Sequence, residues 1–156
     1  MEIMAEGLDF PEGPIAMPDG SVILVEIARG TVSRVGTDGS ITVVADTGGG
    51  PNGIAFGPDG RIYVCNNGGF DTRKGPDGRT QILETNDSYV GGSIQAVDPE
   101  TGTVETLYTE ANGHKLSAPN DIVFDATGGF WCTDHGKQWA RQRDHGGIYY
   151  ATPDGS

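Results

Sequence analysis

No stretch of the sequence approaches the roughly 18 consecutive apolar residues that a membrane-spanning helix needs. The opening residues, MEIMAEG, have neither the basic start nor the apolar core of a signal peptide. The expected setting is therefore the cytoplasm, with no membrane partner. Basic residues are scarce as well: ten Lys and Arg stand against 22 Asp and Glu, giving a net charge of −12. The phosphates of nucleic acid and of anionic lipid select basic faces, so both are excluded as partners. Cysteine is limited to Cys65 and Cys132, with no CxxC and no Cys/His cluster. The two fall one column apart in equivalent strands, which turns them to opposite faces of their sheets and predicts two separate buried thiols without a disulfide. Helical periodicity is missing throughout, and no GxSxG elbow presents a nucleophilic serine.

What the sequence does contain is glycine and a repeat. Its 26 Gly and nine Pro sit at periodic turn positions between β-branched and aromatic runs, the signature of a turn-rich all-β protein. The stretch Phe10 to Glu26, FPEGPIAMPDGSVILVE, returns as PNGIAFGPDGRIYVCN from Pro51 to Asn66 and as PNDIVFDATGGFWCTD from Pro119 to Asp134. In register, Pro11, Pro51 and Pro119 share one column, Glu12, Asn52 and Asn120 the next, and Glu26, Asn66 and Asp134 end the second apolar run. Self-similarity at this period marks an array of small sheets.

Each repeat reads as four antiparallel strands, the blade of a β-propeller. A hairpin comes first, a third strand begins at Gly30, Gly92 or Gly147, and a fourth is SITVVAD in the first repeat and TVETLYT in the second. The predicted units are an outer strand at 1–6, a first blade at 10–46, a second at 51–109 and a third at 119–156 that lacks its own outer strand. Three blades are too few for a closed ring. The expectation is thus half of a six-bladed propeller, closed by a two-fold homodimer in which each N-terminal strand completes the third blade of its partner. The alternative is a fragment of a single six-bladed chain.

In a propeller the first strand of each blade lines the channel, so Glu12, Asn52 and Asn120 converge on one mouth. One carboxylate with two amide carbonyls is a hard-oxygen set suited to Ca²⁺, Mg²⁺ or Mn²⁺; asparagines that cap the strand-entry turn are the alternative. Every basic residue except Arg34 and Arg61 falls in loops expected on the same face, as do His114, His135 and His145. On an acidic protein this segregation favours small anions at the mouth. Arg141, Arg143 and His114 are the candidates for holding one, and the insertion between Asn66 and Gly91 is a candidate lid. Asp134 and His135, at the end of a second strand, are candidates for a general base, with a turn-bonding Asp and a solvated His as the alternative.

These residues carry a resemblance. FPEGP, PNGIAFGPDGRIYV and APNDIVFDATGGFWCTD in combination are similar to the first half of the gluconolactonase and regucalcin-like lactonases, six-bladed propellers of the senescence-marker-protein type. The resemblance implies hydrolysis of the ring ester of sugar lactones and related lactones, with one divalent cation in the channel. Ca²⁺ comes first as its identity, and Mg²⁺, Mn²⁺ or Zn²⁺ are the alternatives. It implies Glu12 as a metal ligand, Asn120 as a contact to the metal's water or the substrate, and Asp121 beside it. The family's fourth- and fifth-blade ligands have no counterpart in these residues. A two-fold dimer would refill those positions with a second Glu12 and Asn52. The expected ligand is a lactone or sugar-acid anion. The competing expectations are a non-catalytic assembly module with a vestigial metal site and a ligand-binding propeller without chemistry.

Overall fold

The strands of this chain are punctuated by one turn device used many times. In each turn an aspartate oxygen accepts the backbone N–H two residues on: Asp19 from Ser21, Asp38 from Ser40, Asp59 from Arg61, Asp98 from Glu100 and Asp125 from Thr127. The glycine that follows holds positive φ, 85° at Gly20, 80° at Gly39 and 82° at Gly60, which a side chain would resist. Between such turns the β-branched runs extend. The computed structural model describes residues 2 to 155 and contains no helix among them. Met1 and Ser156, the outermost residues of the predicted outer strand and third unit, lie outside the described residues.

The first sheet is built from β1 (Pro11–Ala16), β2 (Val22–Glu26), β3 (Thr31–Val35) and β4 (Ile41–Asp46), in that spatial order. The second runs β5 (Pro51–Phe56), β6 (Ile62–Asn66), β9 (Ser93–Val97) and β10 (Val104–Tyr108). Its insertion forms a hairpin of β7 (Thr72–Lys74) and β8 (Thr80–Ile82), and β11 (Glu110–Ala111) with β12 (His114–Lys115) makes another ahead of the third sheet. That sheet has three strands, β13 (Pro119–Phe124), β14 (Phe130–Asp134) and β15 (Gly147–Ala151). Every pairing is antiparallel.

The sheets stack face to face, so the middle one is buried on both sides and its β6 reads as the unbroken apolar run IYVC. Ile62 and Val64 meet Ile23, Val25, Val32 and Ala45 of the first sheet. Tyr63 and Cys65, on the other face, meet Ile122, Phe130 and Cys132 of the third. The Tyr63 ring centroid lies 4.9 Å from that of Phe124 and 5.8 Å from that of Phe130, and its hydroxyl donates to Asp59 at 3.0 Å. Each such ring contributes about 2 kcal/mol by its burial. The cysteines are free and buried, as expected, and point to opposite faces of their own sheets; because facing sheets stack opposite faces together, the two thiols share one layer.

Near the axis the inner strands β1, β5 and β13 lie side by side. A Cβ on Gly13 would stand 2.8 Å from the Asn52 carbonyl oxygen, and one on Gly53 2.6 Å from that of Asn120. Glycine in this column is what lets consecutive inner strands touch.

Residues 2 to 8 form no strand within the chain. They run past Arg29, whose guanidinium donates to the Gly7 carbonyl, and past Gly39, where the Met4 carbonyl oxygen lies 2.9 Å from the position of an added Cβ.

Candidate functional site

All three inner strands break register near their starts, β1 one column later than β5 and β13. Regular pairing lapses between Glu12 and Ile15, between Pro51 and Ile54, and between Pro119 and Ile122. A local irregularity of this kind re-aims side chains that would otherwise alternate into the sheet. Glu12, Asn52 and Asn120 of the repeat column, with Asp121 beside the last, line one cleft of about 350 Å³ together with Gly13 and Gly53; Asn52, Asn120 and Asp121 lie within the lapses, while Glu12 stays in register opposite Val25.

The side-chain oxygens of Glu12, Asn52 and Asn120 take no hydrogen bond or ion pair from within the described residues. That argues against strand-entry capping, since a capping asparagine spends its oxygen on a neighbouring backbone N–H. Asp121 Oδ1 accepts the Ile122 N–H at 2.9 Å, and the Asp121 backbone N–H donates to Thr133 Oγ1 at 3.2 Å. Its backbone carbonyl faces the Cys65 thiol at 3.5 Å. No cluster of three His, Cys, Asp or Glu able to hold a metal occurs among the described residues, so a cation here would depend on the two amide oxygens. Two carboxylates and two amides are hard donors and fit Ca²⁺, Mg²⁺ or Mn²⁺ better than Zn²⁺.

The other candidates lie elsewhere. Asp134 is buried, and its carboxylate accepts the N–H groups of Ser117 at 2.7 Å, Ala118 at 2.7 Å and Gly136 at 2.8 Å. It ties the entry of β13 to the exit of β14. Its column partners do the same work in the earlier sheets. Glu26 accepts the Asp9 N–H at 2.6 Å and the Ser33 hydroxyl at 2.7 Å, and Asn66 accepts the N–H of Gly50 at 2.9 Å. His135 donates from Nδ1 to the Gly136 carbonyl at 2.8 Å and, with Arg143, lines a separate cavity beside the insertion. His114 lines a third cleft, next to Lys115 and Asp144. Arg141 is on an exposed loop closed by the Trp139 N–H donating to the Gln142 carbonyl at 2.8 Å. The structure thus unites Glu12, Asn52, Asn120 and Asp121 and leaves Asp134, His135, His114, Arg141 and Arg143 outside that cleft.

Sequence reasoning passed over Lys137. It is 1 % exposed, donates from Nζ to the Gly69 carbonyl at 2.5 Å and stands 3.3 Å from the Phe70 ring centroid. Burial pulls its ammonium down to about 8, against the field of Asp134. A lone lysine in a polar loop gives no sign of this in the sequence.

Comparison with known proteins sets these residues in a wider frame. The gluconolactonase of Zymomonas mobilis is 23 % identical over 99 % of this chain, which spans 43 % of that protein. Lactonase drp35 of Staphylococcus haemolyticus is 28 % identical over 99 % of the chain and 41 % of its own length. The chain therefore spans about two fifths of the curated relatives it matches. Among solved structures, a gluconolactonase from Xanthomonas campestris superposes with a TM-score of 0.69 at 21 % identity, over 98 % of this chain and 47 % of that one. A PQQ-bound aldose sugar dehydrogenase from Streptomyces coelicolor reaches 0.66 at 20 %, over 99 % of this chain and 48 % of that one. The shared fold, β-propeller-like in architecture, does not by itself choose a chemistry. The family model described as SMP-30/Gluconolactonase/LRE-like region matches residues 10–156, and the chain belongs to that family.

Proposed function

We propose that the chain forms part or all of a lactone hydrolase in which Glu12, Asn52 and Asn120 hold one divalent cation, Ca²⁺ in the first place, and Asp121 is the general base. The observation that carries this reading is that these four side chains line one cleft while the oxygens of Glu12, Asn52 and Asn120 take no hydrogen bond or ion pair among the described residues. When bound, the cation supplies positive charge that polarises a ring-ester carbonyl and acidifies water. Asp121 acts on the water that attacks the ester. With Oδ1 held by the Ile122 N–H, its carboxylate is fixed in orientation and takes the proton as the oxygen attacks the carbonyl carbon. The ring C–O bond breaks, the proton passes to the departing alkoxide, and a hydroxy acid leaves. Of the earlier candidates for base, Asp134 has its carboxylate committed to three backbone N–H groups, so the role falls to Asp121.

The test uses the full chain with a sugar lactone and follows acid release. Turnover is expected to depend on added Ca²⁺ and to vanish on chelation. Glu12→Gln weakens the metal, and Asp121→Asn lowers kcat by about 10²-fold or more while Ca²⁺ binding persists. Chelation-resistant turnover that survives Glu12→Gln would sink the proposal.

A second reading, a non-catalytic assembly module, draws on the apolar outer face of the third sheet, where Val123, Trp131, Ile148 and Tyr150 are exposed. We propose that a second copy of the chain covers this face in a two-fold ring of six sheets. Ca²⁺ binding with no acid release from any lactone would favour this reading over the first.

A further inference from the structure

A cavity of about 370 Å³ lies between the 67–91 insertion and the β14–β15 loop, and it shares no lining residue with the oxygen cleft. Phe70 and Trp139 give it aromatic walls, and Lys137 and Arg143 give it positive charge. The single carboxylate on its wall, Glu84, is exposed.

Lys137 is the unusual member. A fully buried ammonium ordinarily has a carboxylate partner, because its desolvation costs several kcal/mol. Lys137 has no carboxylate within ion-pair distance among the described residues; it has the Gly69 carbonyl and the faces of Phe70 and Tyr89, at 3.3 and 5.2 Å from the ring centroids. Asp134, whose field it feels, already accepts three backbone N–H groups. Arg143 likewise makes no side-chain hydrogen bond or ion pair among the described residues. Two cations without counter-ions on the wall of one cavity leave a place for an anion, and the adjoining indole offers the flat face on which a carbon skeleton stacks.

The cavity is also held in shape. Thr85 Oγ1 donates to the Gln138 carbonyl at 3.3 Å, and the Tyr89 hydroxyl donates to the Ser117 carbonyl at 2.6 Å. The Tyr89 and Trp139 rings meet edge to face at 5.8 Å. The Lys137 N–H in turn donates to Ser117 Oγ, which donates to Asp144. The insertion and the loop are thereby fastened together around the lysine, so binding requires little reorganisation.

We propose that this cavity is a second small-molecule site, which takes a sugar-acid carboxylate with its charged end between Lys137 and Arg143 and its hydroxylated body on Trp139. The site itself does not depend on the oxygen cleft, whereas the choice of a sugar acid as its anion rests on the lactone chemistry proposed above. Binding the anion favours the charged lysine. Affinity is therefore highest below the value of about 8 to which burial pulls Lys137, and falls as pH rises through it. The other titratable groups facing Lys137 or lining the cavity are Asp134, Asp144, Glu84, His135 and Tyr89, with Arg143 as a fixed charge.

The experiment is calorimetric titration of the full chain with gluconate, in chelator, near pH 7 and near pH 9.5. Saturable binding is expected at pH 7, in the parent chain and in Glu12→Gln alike, weakened about tenfold or more at pH 9.5. Lys137→Met, which keeps the bulk within the aromatic cage, and Arg143→Gln, at an exposed position, are each expected to weaken it about tenfold or more. His135→Gln removes the imidazole from the comparison and is expected to leave the pH dependence in place. Loss of binding in chelator or in Glu12→Gln would place the anion in the oxygen cleft and overturn the proposal. So would equal affinity in Lys137→Met and Arg143→Gln, or no saturable binding at all.

Discussion

At the scale of single residues, two neighbouring columns of the repeat carry opposite roles. Glu12, Asn52 and Asn120 open the inner strands with oxygens that take no hydrogen bond or ion pair among the described residues, whereas Glu26, Asn66 and Asp134 close the second strands with oxygens used by backbone N–H groups and, at Glu26, by the Ser33 hydroxyl and the Arg29 guanidinium. The sequence shows both columns equally well and, through the repeat, the convergence of the first on one mouth; it does not show which column keeps its oxygens free and which spends them on the backbone. The cleft behind the first column forms where β1, β5 and β13 come together, which no single strand encodes. The same limit explains the cysteines, whose faces were legible while the stacking that brings them together was not. The assignment of Asp134 is open to test. Asp134→Ala leaves three N–H groups without their ionised acceptor, so unfolding free energy by urea titration should fall by about 3 kcal/mol or more. Lactone turnover per folded molecule should stay within a fewfold of the parent. A stable variant with no turnover would return Asp134 to the catalytic list.

At the scale of elements, the turns were the most legible feature because their chemistry is local. An aspartate two residues ahead of an N–H and one ahead of a glycine with positive φ specifies the corner, whatever the rest of the chain does. The β7–β8 hairpin was not legible: its strands are three residues long, and the contacts that hold it, from Lys74 and Thr80 to Asp9, cross more than sixty residues. The turns also set an acid dependence. Hydrogen bonds from Ser21, Ser40 and Thr127 hold the carboxyls of Asp19, Asp38 and Asp125 below the usual aspartate range, and backbone N–H groups of Thr101 and Glu100 do so for Asp98. A depressed value in the folded chain means that the unfolded chain binds protons first. This stabilisation is fully present above the unfolded carboxylate value near 4 and is lost as pH falls through the folded values. Melting temperature should therefore be level from about pH 7 to 5 and drop steeply below about pH 4. Replacing Asp38 and Asp125 together with Asn, which caps the same turns without titrating, should flatten the drop; an unchanged profile would show that other carboxyls govern it.

At the scale of the whole molecule, the stacking rule that fills two layers leaves a third face open. In the middle sheet Tyr63 pairs with Ala96 and Cys65 with Ile94, and this face is buried against the third sheet. The corresponding pairs of the third sheet are Trp131 with Tyr150 and Thr133 with Ile148, and no described residue buries Trp131, Tyr150 or Ile148. Trp131 is 49 % exposed, Ile148 70 %, Tyr150 47 % and the adjacent Val123 61 %, a contiguous apolar surface of the kind that marks an interaction face. In the two-fold ring proposed above the complementary face would be that of the first sheet, where Leu24 and Val35 are 6 % and 3 % exposed while residues 2 to 8 run past both ends of β3. Seating a partner's first sheet on the open face therefore requires that leading segment to leave its own sheet and add to the partner's. Such an exchange conserves the apolar contacts of the segment and covers the open face, so the burial it gains is net. Light scattering should give a mass about twice the 16.3 kDa of one chain. Ile148→Asp, at a position too exposed to disturb the fold, sets an unpaired charge in the centre of the face and should return the mass to that of one chain. Removal of residues 2 to 8 should do the same if the segment is what each copy lends the other. A parent chain that scatters as a monomer would show that no second copy covers the face and would overturn the two-fold ring.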